Sequence, residues 1–144
     1  MFSKACEYGI KAAIFIASQS SLNKRASLKE VASEIDSPEA FTAKILQRLA
    51  RNGILESNIG PTGGYSIEKK RIKKIMLNEI VDAIDGNSIY ISCGLGLNKC
   101  NAKIPCPVHD KFSVIREELR KMLMTTGLLE LSNELKMQHS VLMR

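Results

Sequence analysis

The chain has 144 residues, of which 44% are hydrophobic and 25% charged, and its formal net charge at pH 7 is +6. This length fits one domain, or one small domain with an appendage, and is enough to bury a core. No apolar run approaches the roughly 20 residues of a membrane span, and the short run at 12–17 lacks a signal-peptide cleavage site. We therefore expect a cytoplasmic protein without a membrane partner, whose thiols stay reduced.

The excess positive charge is confined to the first half of the chain. Residues 1–76 hold 13 Lys or Arg against 7 Asp or Glu, whereas residues 77–144 hold eight of each kind. This asymmetry indicates an acidic partner for the first half, such as nucleic acid. Basic surfaces also serve solubility alone, so the charge needs a structural context before it indicates DNA.

The first predicted helix covers residues 2–19 and has an apolar stripe at helical spacing. The stripe comprises Phe2, Cys6, Ile10, Ala13 and Ala17. Because Cys6 lies on this stripe, we expect a buried thiol in the core rather than a metal ligand. Glu7 lies just off the stripe, where a carboxylate is ordinarily solvated.

Two further helices are predicted in quick succession. Ser27, with Glu30 three residues later, matches a capping box at the start of a helix over 28–35. Ser37 is expected to cap the next helix, with Pro38 at its first position, and a left-handed residue at 52–53 is expected to end it. Its predicted apolar side comprises Phe41, Ile45, Leu46 and Leu49. The side chains predicted to face outward are Thr42, Lys44, Gln47, Arg48 and Arg51.

The segment after these helices favours a DNA-binding interpretation over an ordinary helical hairpin with a solvated face. Strand-like runs at 54–57 and 65–68 flank the loop G-P-T-G-G at 60–64, which predicts a β-hairpin. A helix-turn-helix followed by such a hairpin is a winged helix. Thr62, Lys69 and Lys70 therefore join the candidate DNA contacts. The nucleotide-binding pattern G-x-x-x-x-G-K-[ST] is absent.

A predicted helix over 76–84 and an extended run at 89–91 lead into a loop that holds three of the four cysteines. Cys93, Cys100 and Cys106 are separated by six and five residues, and His109 follows after two more. Gly, Asn and Pro between them predict a loop, in which thiolates can converge on a soft metal. Zinc could be held by these four residues as a closed Cys3His site, although zinc motifs usually have shorter C-x2-C intervals.

The last part of the chain predicts a dimerisation element. Over 110–124 the apolar residues Phe112, Ile115, Leu119 and Met122 repeat at 3-4-3 intervals, as in a coiled coil. We expect this helix to pair with a second copy, the alternative being packing on the chain's own core. A short helix at 128–135 is expected to fold back.

These patterns predict a mainly α fold with a small β-hairpin wing. The expected organisation is a winged helix-turn-helix DNA-binding region at 1–76, a connecting helix and cysteine loop at 77–109, and a dimerisation helix with a C-terminal helix at 110–144.

Several stretches resemble the IscR/NsrR-type winged-helix regulators, the Rrf-two family, over nearly the whole chain. They include E-Y-G-I at 7–10, I-L-Q-R-L-A-R-N-G-I-L at 45–55, G-P-T-G-G-Y at 60–65, N-E-I-V-D-A-I-D-G at 78–86 and C-P-V-H at 106–109. The resemblance implies a homodimeric bacterial transcription factor, not an enzyme, whose iron–sulfur cluster tunes promoter binding.

The resemblance also implies a ligand set of Cys93, Cys100, Cys106 and one residue that is not a cysteine. His109 matches the histidine that ligates in IscR-like members, and Glu7 matches a carboxylate that NsrR-like members supply from the partner subunit. Glu7 is slightly favoured, because a ligand crossing the dimer would let cluster loss change the spacing of the two winged helices. The cluster type, 2Fe–2S or 4Fe–4S, stays open.

Two positions depart from the family pattern. Members usually carry Arg before the first wing glycine, where it can enter the minor groove, but this chain has Ile59. DNA reading would then shift to Lys69, Lys70 or the third helix. The first cysteine interval is also one residue longer than in many relatives, a change that a loop absorbs easily.

The leading hypothesis is a homodimeric regulator that binds a palindromic operator in double-stranded DNA and senses redox state or nitric oxide through its cluster. Two-fold symmetry would place the third helices in major grooves roughly 34 Å apart. The alternative is a cluster-free regulator of the same fold that uses cysteine oxidation, a partner protein or structural zinc. A small redox or electron-transfer protein is disfavoured, because no fourth cysteine joins the loop.

Overall fold

The computed structural model describes residues 1–137 and 141–143, and it confirms a mainly α fold with a two-stranded antiparallel hairpin. The predicted segment 110–144 therefore ends partly outside the described residues. The described elements are α1 (Lys4–Ser21), α2 (Leu28–Glu34), α3 (Glu39–Arg51), β1 (Glu56–Asn58), β2 (Gly64–Ser66), α4 (Lys69–Ile72), α5 (Leu77–Asp85), α6 (Ser88–Ile91), α7 (His109–Thr125) and α8 (Leu128–Lys136). None of the described helices is long and apolar enough to cross a membrane.

Helix α1 is the centre of the hydrophobic core. Residues 12–18 are all buried, because α3, α5 and α8 pack around this helix. Gly9 allows α5 to approach, since a Cβ at that position would overlap the Ile84 side chain. Cys6 is fully buried, which confirms the predicted core thiol. Burial raises the pKa of Cys6 to about 12, so this thiol stays protonated and unreactive at neutral pH.

The helix caps follow the prediction at α2 but not at α3. Glu30 N donates to Ser27 Oγ at 3.1 Å and Ser27 N donates to Glu30 Oε2 at 3.4 Å, which is the predicted capping box. The predicted cap at Ser37 is wrong, because Pro38 occupies the N-cap position and α3 begins at Glu39. The Ser37 hydroxyl is buried without a hydrogen-bond partner among the described residues.

The extended run predicted at 89–91 is also wrong, since these residues belong to the short helix α6. Backbone bonds from Tyr90 N to Asn87 O (3.0 Å) and from Ser92 N to Ser88 O (2.9 Å) close the helical turns. The residues Ile-Tyr-Ile favour a strand, but a strand needs a partner strand to form a sheet. This segment packs against helix α7 instead. The Tyr90 ring lies under the Arg120 guanidinium of α7, 4.9 Å from its centroid.

The wing is shorter than predicted and is joined to the core at both ends. Strands β1 and β2 pair with Glu56 opposite Ser66 and Asn58 opposite Gly64. The first two residues of the predicted strand, Ile54 and Leu55, are buried in the core instead. On the other side of β2, Ala26 forms an isolated antiparallel bridge with Tyr65. Strand β2 therefore pairs with β1 on one side and with the single residue Ala26 on the other.

The C-terminal helices close the structure as predicted. Helix α8 folds back onto α1, and its start is bound to the α5 region by hydrogen bonds from Leu77 N to Thr126 O (3.0 Å) and from Leu128 N to Ile75 O (2.9 Å). Among the residues of α7, all of which the structure describes, Leu123 is the one fully buried side chain. Most of α7 therefore lies outside the core.

We expect Leu123→Ala to lower the free energy of unfolding by about 2–5 kcal/mol, because it deletes the buried side chain that anchors α7. Urea unfolding at one fixed protein concentration measures this change. The matched control is Lys121→Ala on the same helix, which removes an exposed ion pair with Glu118 and should change the free energy by less than about 1 kcal/mol. Equal decreases in both variants would contradict the anchoring role of Leu123.

Candidate metal centre and nucleic-acid interface

The cysteine loop connects α6 to α7 and brings its four candidate ligands together as two pairs. Cys93 Sγ and Cys106 Sγ lie 3.7 Å apart, and Cys100 Sγ lies 3.3 Å from His109 Nδ1. Cys93 is buried, while the other three side chains are half-buried. His109 is the first residue of α7, and its backbone N–H donates to Cys106 O at 3.0 Å. His109 at the start of α7 is thus next to Cys106, and it contacts Cys100 of the other pair.

Backbone N–H groups and one guanidinium group surround the thiols. Leu95 N donates to Cys93 Sγ at 3.4 Å. The backbone N–H groups of Leu95 and Leu97 lower the pKa of Cys93 below its ordinary value, against the opposing effect of burial, and Cys106 and Arg116 lower it further. This environment favours a thiolate, the form that binds metals.

Arg116 connects α7 to the start and to the middle of the loop. Its Nη1 donates to Ser92 O at 2.6 Å, and its Nη2 donates to Cys100 Sγ at 3.4 Å. The guanidinium group therefore places a positive charge beside the Cys100 sulfur. Sequence reasoning missed Arg116, because nothing in its spacing marks it as a contact of the loop.

The two pairs have separations that suit two metal centres. Metal–sulfur bonds of about 2.3 Å and metal–nitrogen bonds of about 2.0 Å give tetrahedral edges of about 3.8 Å between two sulfurs and about 3.5 Å between sulfur and nitrogen. The observed 3.7 Å and 3.3 Å are close to these values. In residues 1–137 and 141–143, no three His, Cys, Asp or Glu side chains form a group that could hold one metal ion. The compact Cys3His site considered for zinc is therefore not assembled.

Glu7 lies on α1 and pairs with another residue of its own helix. Its carboxylate is 3.1 Å from Lys4 Nζ, and the side chains of Lys4 and Glu7 are 70% and 41% exposed. Such a surface ion pair contributes about 0–1 kcal/mol to the free energy of unfolding, so Glu7 can leave Lys4 for another partner at little cost. Within the described part of the chain, Glu7 forms no metal-binding group with the loop cysteines.

Three of the five predicted α3 contacts face solvent without a competing interaction in the described structure: Lys44, Gln47 and Arg51 are exposed. The outward position predicted for Thr42 is wrong. Its side chain is fully buried, and its hydroxyl donates to Pro38 O at 2.9 Å inside the first turn of α3. Arg48 is exposed, but its Nη1 donates to Ile84 O at 3.1 Å and so connects α3 to the end of α5.

The candidate residues of the wing are all accessible. Thr62, Lys69 and Lys70 are exposed, and the two lysines lie on the short helix α4 directly after the hairpin. Ile59 is fully exposed beside the hairpin loop. Arg25, from the loop between α1 and α2, donates to Thr62 O at 3.1 Å. Sequence reasoning missed Arg25, and the adjacent basic pair Lys24-Arg25 was the available signal.

The predicted dimer stripe is largely uncovered in the single chain. Ile115 is 57% exposed, Met122 is 43% exposed and Phe112 is 37% exposed. Leu119 differs, since it packs against the chain's own core. The Phe112 ring also covers Gly94 of the cysteine loop, where an added Cβ would lie 2.6 Å from the ring. The stripe therefore contacts the loop at one end and leaves an apolar surface along α7.

Comparison with known proteins identifies relatives of the whole chain. Residues 2–134 match the family described as "Rrf2: Iron-dependent Transcriptional regulator". A putative HTH-type transcriptional regulator of Aquifex aeolicus is 29% identical over 137 residues, which cover 92% of each chain.

Two solved structures show the same fold at low sequence identity. IscR from T. potens superposes with a TM-score of 0.73 at 16% identity, covering 98% of this chain and 92% of that one. The oxidized form of CymR from Staphylococcus aureus superposes with a TM-score of 0.71 at 21% identity, covering 92% of this chain and 95% of that one. The hairpin is thus the wing of a winged-helix fold. Because the family match spans almost the entire sequence, the chain belongs to the Rrf2 family of transcriptional regulators, which are DNA-binding proteins and not enzymes.

Proposed function

We propose that this protein is a homodimeric regulator whose binding to a palindromic operator depends on a 2Fe–2S cluster held by Cys93, Cys100, Cys106 and His109. The observation that carries the proposal is the division of these ligands into two pairs, each with the separation of two ligands on one metal. A 2Fe–2S cluster needs two protein ligands on each of its two irons. The family's description as iron-dependent agrees with this assignment.

His109 replaces Glu7 as the favoured fourth ligand. The His109 ring already contacts Cys100 Sγ, whereas the Glu7 carboxylate pairs with Lys4. A neutral imidazole is a weaker and more easily displaced ligand than a thiolate, and it ligates through whichever ring nitrogen is unprotonated. When bound, the cluster supplies a redox-active and acid-labile group at this position. Arg116 and the backbone N–H of Leu95 donate hydrogen bonds to the sulfurs of Cys100 and Cys93, and these donors offset the negative charge of the ligands.

The ligand pairs are directly connected to the proposed dimer helix. His109 is the first residue of α7, and Arg116, two turns later, donates to both Ser92 O and Cys100 Sγ. Any change in the loop therefore acts on the first two turns of α7. In a dimer paired through α7, a shift of this helix changes the distance between the two α3 helices. Binding to two operator half-sites is sensitive to that distance.

A second candidate function uses the same cysteines without a cluster. Cys93 and Cys106 are within disulfide-forming reach, and the Cys93 thiol has a lowered pKa. A peroxide would oxidise the Cys93 thiolate to a sulfenic acid, releasing hydroxide, and the Cys106 thiolate would then displace water after protonation to form a disulfide. The solved oxidized form of CymR shows that a protein of this fold has been obtained in an oxidised state.

The ligand assignment predicts which variants cannot hold the cluster. After anaerobic reconstitution with iron and sulfide, the wild type should hold about two iron and two sulfide per chain. Cys100→Ala and His109→Ala should lack the cluster absorbance, because each leaves one iron with a single protein ligand. Glu7→Ala should retain it, as should the matched cysteine control Cys6→Ala, whose thiol is buried in the core. Retention in His109→Ala together with loss in Glu7→Ala would instead assign the fourth ligand to Glu7.

The thiol alternative predicts a different pattern in metal-free protein. Treatment with hydrogen peroxide should produce a Cys93–Cys106 crosslink, detected by peptide mass spectrometry as the loss of two hydrogens, with a parallel change in DNA affinity. Cys106→Ser should abolish both effects, whereas Cys6→Ala should abolish neither. If the crosslink forms but DNA affinity stays the same, oxidation is not the regulatory signal.

The dimer proposal predicts that a charge in the stripe separates the subunits. Ile115→Glu should convert a dimer of twice 15.9 kDa into a 15.9 kDa monomer, because an unpaired carboxylate would be buried in an apolar interface. Glu118→Gln, an exposed residue of the same helix that pairs with Lys121, is the matched control and should stay dimeric. Analytical ultracentrifugation measures both masses. A monomeric wild type would refute the dimer.

A further inference from the structure

The loop of the wing carries no charged side chain. Residues 58–63 read N-I-G-P-T-G, and Ile59 within them is fully exposed. Protein contacts to DNA depend on cations that neutralise phosphates. If the wing approaches DNA, its positive charge must come from a neighbouring segment.

The loop between α1 and α2 is fixed against the wing by its backbone. Ala26 N donates to Tyr65 O at 2.9 Å, and Tyr65 N donates to Ala26 O at 2.7 Å. Gly64 makes this approach possible, because an added Cβ would lie 2.8 Å from Ala26 O and the residue has a φ of +134°. Asn23, with a φ of +59°, turns the chain into this position. Lys24 and Arg25 are therefore held beside the hairpin.

Arg25 reaches the wing loop directly. Its Nη1 donates to Thr62 O at 3.1 Å, while the side chain stays exposed. A guanidinium group has five N–H donors, so contact with one neutral carbonyl leaves most of its hydrogen-bonding capacity and its whole charge available. Among the ion pairs of the described residues, none involves Lys24 or Arg25.

Two further cations complete a basic cleft on this side of the wing. An open cleft of about 440 Å³ is lined by Lys24, Arg25, Lys69 and Lys70, with Glu68 as its one carboxylate. Glu30 lies near Arg25 in the neighbouring depression that also contains Thr62. The cleft is open rather than enclosed and has a net positive lining. This form suits the backbone of a polyanion better than a small ligand that must be surrounded.

We propose that Lys24 and Arg25 form a second DNA-contacting element, in which Arg25, held on the wing loop, and Lys24 bind backbone phosphates of double-stranded DNA beside the wing. This proposal rests on the DNA-binding function and adds residues that lie outside both α3 and the hairpin. Arg25 supplies the charge that the wing loop lacks. The hydrogen bond to Thr62 O places it next to the loop that joins β1 to β2.

The test measures the affinity for a random-sequence duplex by fluorescence anisotropy at several salt concentrations. The slope of log affinity against log salt is negative, and its magnitude should fall by about 0.9 for each phosphate that the protein no longer neutralises. Arg25→Gln and Lys24→Gln should each leave about one phosphate without its cation, which weakens binding about eight-fold at 0.1 M salt. Arg25→Lys should retain the slope, because it keeps the charge. Lys111→Gln, an exposed charge on α7, is the matched control and should leave the slope unchanged.

The possible outcomes separate this proposal from the general function. Wild-type protein that fails to bind any duplex at low salt would overturn the DNA-binding function and this proposal together. Wild-type binding with unchanged slopes in Arg25→Gln and Lys24→Gln would overturn this proposal alone. If Arg25→Gln and Arg25→Lys both weaken binding at constant slope, Arg25 supports the wing and does not contact phosphate.

Discussion

The burial of α1 is the constraint on which the rest of the structure depends. Its 18 residues extend about 27 Å, and hydrogen bonds at its two ends connect it to the segment after the wing and to the end of α5. At its C-terminal end, Ser20 Oγ accepts a hydrogen bond from Ile67 N, just after the wing. At its N-terminal end, Ser3 donates through its backbone N–H to Asp85 at 3.0 Å, where α5 ends before the cysteine loop. One rigid helix thus lies between the DNA-binding side and the candidate metal centre.

The cysteine loop, in contrast, has little hydrophobic support of its own. Leu95 and Leu97 are each 56% exposed and Ile104 is 81% exposed, so apolar burial does not determine the conformation of this loop. Its contacts to α7 are the hydrogen bonds of Arg116 and the packing of the Phe112 ring on Gly94. A segment held by a few contacts changes conformation at lower cost than a packed core. The proposed sensing role of this loop, beside a stable DNA-binding unit, requires this difference in support.

Sequence reasoning was accurate where one signal determined the structure. The capping box at Ser27 and the buried thiol at Cys6 followed from local spacing, and both are confirmed. It was wrong where tertiary contacts decided. Thr42 looked like a polar surface residue, but its hydroxyl is satisfied by Pro38 O, which makes burial inexpensive. The run at 89–91 has strand-forming residues without a partner strand. The bond from Arg25 to Thr62 O joins positions 37 residues apart, a contact that no periodicity reports.

The two proposed uses of the cysteines exclude each other, because both need the sulfurs of Cys93 and Cys106. Their separation of 3.7 Å corresponds to two ligands on one metal, whereas a disulfide requires the two sulfurs to move into covalent contact. The pairing of Cys100 with His109 also has no function in a Cys93–Cys106 disulfide, but it completes a four-ligand set. Two metal-like separations in one loop are therefore explained together by a cluster and only in part by oxidation. This is the physical reason for placing the cluster first.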